Sequence, residues 1–103
     1  MSNNSTSTPL TLTRSQWDEI RDGANRWTGR LQAEQKEMER LPGGWPAGMH
    51  QDYVEVLRIA EQALMQEGDT ITAPVSRGAL ITLRIQDGWS GDIKVIAAAA
   101  EGR

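Results

Sequence analysis

The chain reads as a single α+β domain: an antiparallel helical pair followed by a three-stranded antiparallel β-meander, in ααβββ order and two layers. Three observations predict it. Apolar residues recur at steps of three and four from Trp17 to Leu41, and again between His50 and Glu67. Beyond Asp69 the pattern changes to alternation. Pro- and Gly-rich stretches at Pro42–Met49, Ser76–Gly78 and Asp87–Gly88 stand where the chain would have to turn.

Residues 1–12 are rich in Ser, Thr and Asn and read as a flexible tail, leaving residues 13–103 as the domain. Thr13 with Gln16 forms a capping-box pattern at the start of the first helix, and Leu12 with Trp17 the matching hydrophobic staple. Trp17, Ile20, Ala24, Trp27, Leu31, Met38 and Leu41 then make a narrow seam at heptad spacing, with Glu34 in the one missing slot. The other faces carry the pairs Arg14–Asp18, Asp22–Arg26 and Arg30–Glu34 at i,i+4 spacing, the mark of a solvated surface. Gly23 and Gly29 each cost the helix roughly 1 kcal/mol relative to Ala. A bend at Gly23 is the expected reason, with a close backbone approach as the alternative.

Leu41-Pro42 ends this helix. The second runs from His50 to Glu67 with Gly68 behind it, and Tyr53, Val56, Leu57, Ala60, Ala63 and Leu64 form its apolar stripe. Val54, Ile59 and Met65 widen that stripe, so the helix should touch both its partner helix and a sheet. Thr70–Val75 is β-prone, and Pro74 makes it an edge strand. Ala79–Ile85 and Asp92–Ala97 alternate and read as a hairpin. A three-residue loop Asp87-Gly88-Trp89 pairs Leu83 with Ile93 and Ile81 with Val95, which keeps the apolar residues on one face. A straight first helix of about 42 Å outruns a second of about 27 Å. Trp17 and Ile20 therefore either fold back onto the sheet or meet a second subunit as a homodimer.

With 103 residues, 38% hydrophobic and 24% charged, one core is the most the chain can build. The absence of cysteine excludes disulfides, thiolate nucleophiles, zinc fingers and iron–sulfur clusters. The polar N-terminus resembles neither a secretory signal nor a membrane span, which points to the cytoplasm. The net charge of −3 is unevenly spread. Acids and bases balance over residues 13–41 and again from residue 69 onward, whereas residues 42–68 hold Asp52, Glu55, Glu61 and Glu67 against Arg58 alone. A chain with no basic patch is a poor match for sequence-independent nucleic-acid binding, which rests on Lys and Arg at phosphates.

Motifs for chemistry are scarce. His50 is the single histidine, and with Asp52 it makes at most a His-x-Asp pair, too few ligands for a metal. Trp89-Ser90-Gly91 is not a nucleophile elbow, no phosphate-cradling glycine loop occurs, and residues 87–92 lack the alternating acids of a calcium loop. Glu34, Glu37, Asp52 and Glu55 would form paired carboxylates only if the helices brought them together. No catalytic residue, metal ligand or cofactor is therefore assigned.

The aromatic content is unusual: four tryptophans, one tyrosine and no phenylalanine. Trp17 and Trp27 lie on the helix seam, Trp45 lies in the Pro- and Gly-rich loop, and Trp89 lies at the expected hairpin tip, projecting into solvent. Loop-borne tryptophans either pin a loop to the core or anchor a partner. The sequence thus points to a non-enzymatic protein-interaction module of the small acidic kind frequent among bacterial and phage accessory proteins. Trp17, Trp45, Asp52, Glu55 and Trp89 are its expected partner-binding residues. The concrete form is an inhibitor or modulator that offers acids to a basic, nucleic-acid-binding protein. Two alternatives stand beside it: a nucleic-acid-binding protein using Arg14, Arg21, Arg26 and Arg30, and a small-ligand-binding or enzymatic domain.

Overall fold

The computed structural model describes residues 7–38 and 49–101, except for the side chains of residues 35–38 and 49–50. Among the described residues the order is strand, helix, helix, strand, helix, helix: β1 (Thr8–Thr13), α1 (Arg14–Met38), α2 (Met49–Ala63), β2 (Thr70–Val75), α3 (Arg77–Ile85) and α4 (Gly91–Glu101). β1 and β2 form a two-stranded antiparallel sheet. This overturns the ααβββ expectation. The helical pair is present and β2 spans the expected residues, but the expected hairpin is a pair of helices, and β2 pairs with the supposed tail.

The register sets Leu10 opposite Ala73 and Leu12 opposite Ile71. Leu10, Leu12, Ile71, Ala73 and Val75 are all buried, on one face, while Pro9, Thr11, Thr13, Thr70, Thr72 and Pro74 alternate onto the exposed one. Removing each leucine from water contributes about 1.5–3 kcal/mol towards ordering residues 8–12. Thr11 and Thr72 join hydroxyls across the exposed face at 2.7 Å. Pro9 stands directly opposite Pro74. Neither carries an N–H, so this pair sits where backbone groups point away from the partner strand, and each outer edge loses a donor.

β1 passes directly into α1 through the expected capping box. The Thr13 N–H donates to Gln16 Oε1 at 3.0 Å, and the Gln16 N–H donates to Thr13 Oγ1 at 3.1 Å. Trp17, Ile20, Ala24 and Leu31 are buried along the seam. The indole N–H of Trp17 donates to the Ile71 carbonyl at 3.0 Å, tying the first turns of α1 to the sheet. The overhang that motivated a homodimer is thus covered within the chain. Arg14 does not pair with Asp18. Its guanidinium donates instead to the carbonyls of Leu64, Gln66 and Gly68, which follow the end of α2. α2 stops at Ala63 rather than Glu67, and Gly68 takes a positive φ of 109° in the connection to β2.

α1 is continuous through Gly23, and a close backbone approach is the reason for the glycine. A Cβ at Gly23 would lie 2.1 Å from the carbonyl oxygen of Gly88, and 2.8 Å from its carbonyl carbon. Gly88 has a φ of 128° and lies against the Trp27 indole. Both glycines are needed, one for contact and one for conformation as well.

Ser76 caps α3: its backbone is extended and its Oγ accepts the Ala79 N–H at 3.2 Å. Ala79, Leu80, Thr82 and Leu83 are buried, a helical set that coexists with the Ile81–Leu83–Ile85 alternation. Thr82 satisfies its buried hydroxyl by donating to the Gly78 carbonyl at 2.9 Å. α4 buries Ile93 and Ala97, with Ile96 and Ala100 packed alongside. Its run of four alanines is the strongest helix-forming stretch available.

Candidate functional site

The five expected partner-binding residues fare differently. Trp17 is wholly buried and serves the core. Trp89 is 8% exposed, against the expectation of a projecting tip. It belongs to a linker between packed helices, where its indole N–H donates to the Leu83 carbonyl at 2.8 Å and its ring lies 5.9 Å from that of Tyr53. Trp45 lies outside the described residues, as does the side chain of His50, whose backbone is in the first turn of α2. Asp52 and Glu55 are exposed on α2.

The outward side of α2 carries Asp52, Glu55, Arg58, Glu61 and Gln62, all exposed, three carboxylates against one guanidinium. Glu55 is engaged within the fold, since its carboxylate accepts the hydroxyl proton of Ser76, the residue that caps α3. Among the described residues, neither Asp52 nor Glu61 has an ion-pair partner. Met65, in the turn beyond the helix, is 83% exposed, although its spacing assigned it to the apolar stripe. The early end of α2 puts it outside that stripe. The outward side thus runs from Asp52 through Glu61 to a bare thioether, a polarisable and adaptable group.

A second polar surface lies on α1. Ser15, Asp18, Glu19, Asp22, Gly23, Arg26 and Gly88 line an open groove of about 430 Å³. Its acids are already engaged. Arg21 pairs with Asp18 and lies 3.5 Å from Asp22, and Glu19 accepts the Ser90 N–H just before α4 at 2.5 Å. Among the described residues, no three His, Asp or Glu side chains are grouped so as to hold a metal ion. Of the carboxylates suggested as a pair, Glu34 pairs with Arg30 at 3.2 Å and Glu55 bonds to Ser76, while the Glu37 side chain lies outside the described residues.

Of the four arginines expected to face a nucleic acid, three are similarly committed, whereas Arg26 is exposed and has no ion pair among the described residues. Arg14 holds carbonyls, Arg21 holds Asp18, and Arg30 both pairs with Glu34 and stacks 5.0 Å above Trp27. The aromatic set continues from Trp27 to Tyr53, whose rings stack at 5.8 Å, and the Tyr53 hydroxyl donates to the Asp87 carbonyl at 3.0 Å. Burial, reinforced by the nearby Asp87 charge, raises the Tyr53 phenol above its ordinary pKa.

No helix among the described residues is long and apolar enough to cross a membrane. Comparison with protein-family models finds no match, and comparisons with curated proteins and with solved structures find none either.

Proposed function

We propose that this chain is a non-enzymatic interaction module that binds a basic protein partner through the outward side of α2, with Asp52 and Glu61 supplying charge and Met65 an apolar anchor. A cytoplasmic setting accompanies this reading, in keeping with the lack of cysteine. One observation carries it: the segment that holds the chain's surplus of acid keeps Asp52, Glu61 and the large apolar side chain of Met65 all exposed. Exposed like charges steer a complementary partner and speed encounter, and a desolvated anchor slows release. The partner would be a protein with a Lys- or Arg-rich surface, such as one that itself binds nucleic acid.

The test is an affinity pull-down with the wild-type chain and two variants, Asp52→Lys/Glu61→Lys and Met65→Ala. Glu55 is left intact, because its bond to Ser76 would confuse binding with folding. The expected result is one retained protein whose binding weakens as salt rises. The charge reversal should weaken it about tenfold or more, corresponding to ~1.4 kcal/mol, with an unchanged circular dichroism spectrum. Retention indifferent to salt and to both variants, or no retained protein, would count against the proposal.

A further inference from the structure

We draw no further inference here: the strongest candidate, the exposed Val95–Ala98–Ala99 face of α4, carries nothing because no feature of the structure shows what covers it.

Discussion

The linker from Gln86 to Ser90 and the outward side of α2 are both polar stretches at the surface, yet they are put to different uses. In the linker every residue has an internal partner. The Gln86 N–H donates to the Thr82 carbonyl, Asp87 accepts from the Tyr53 hydroxyl and the Lys94 ammonium, and Gly88 packs on Gly23. Trp89 donates to Leu83, and the Ser90 N–H donates to Glu19. On α2, among the described residues, Glu55 is the one outward acid with such a bond. The linker fastens α3 and α4 to the helical pair, whereas the α2 face costs the fold little to leave free. Solvent exposure alone does not distinguish the two, since Asp87 and Ser90 are exposed as well. What separates them is where their polar groups are satisfied.

That contrast breaks most sharply at Trp89. Trp89→Ala should cost about 3–5 kcal/mol, read by urea denaturation, because it empties a core position and strands the Leu83 carbonyl. A loss under about 1 kcal/mol would return Trp89 to the surface. Next comes a pair of opposite sign within one helix. A Cβ at Gly29 would meet no other atom within 4 Å. Gly29→Ala should therefore stabilise by about 0.5–1 kcal/mol. Gly23→Ala should instead lose about 2–3 kcal/mol, since the new methyl meets Gly88 backbone rather than a movable side chain. Equal effects at the two positions would mean that α1 and the linker do not touch.

A smaller effect is expected where the two regions differ least, at Glu55. Ser76→Ala should cost about 1 kcal/mol through loss of the α3 cap, and Glu55→Gln less, with measurable coupling in a double-mutant cycle. Asp52→Ala, by contrast, should stay within about 0.5 kcal/mol. The smallest effect is one of pH. Because folding raises the Tyr53 pKa, the phenol favours folding while both states are protonated. That contribution is lost as pH climbs past the ordinary phenol value of about 10 and toward the raised folded value. Stability should fall across that window in the wild type, and less steeply in Tyr53→Phe.

Much of the helical pair was legible, because its signals are local. Thr13 and Gln16 are three residues apart and Tyr53, Val56 and Ala60 lie within two turns, so spacing alone places them. The stretch after β2 was not, for a physical reason: in a seven-residue window such as Ala79–Ile85, an alternating set and a helical set share Leu83. The deciding marks were the Ser76 cap and the alanines after Ile96, both of which favour helix over strand. The threonines of residues 8–12 give that stretch the composition of a tail, although Leu10 and Leu12 alternate as an amphipathic strand should. The contact of Gly23 with Gly88 could be suspected only from a glycine inside a helix, with no indication of its partner. Of the proposed surface, Asp52 was visible as excess charge, but Met65 was hidden by a helix end that its spacing did not reveal.

The pairing of β1 with β2 also sets an order in time. Thr13 and Thr70 are adjacent in the sheet but are made far apart, so on a ribosome adding ~5–20 residues per second the first strand waits several seconds for its mate. Through that interval Leu10 and Leu12 stay exposed on a strand with no ladder, and the capped start of α1 has no sheet to hold Trp17. Closure of this long loop is the step that joins both ends of the domain, and loops of such span fold slowly. Trimming residues 1–13 as a dispensable leader would remove half the sheet and strand Ile71, Ala73 and Val75 for good.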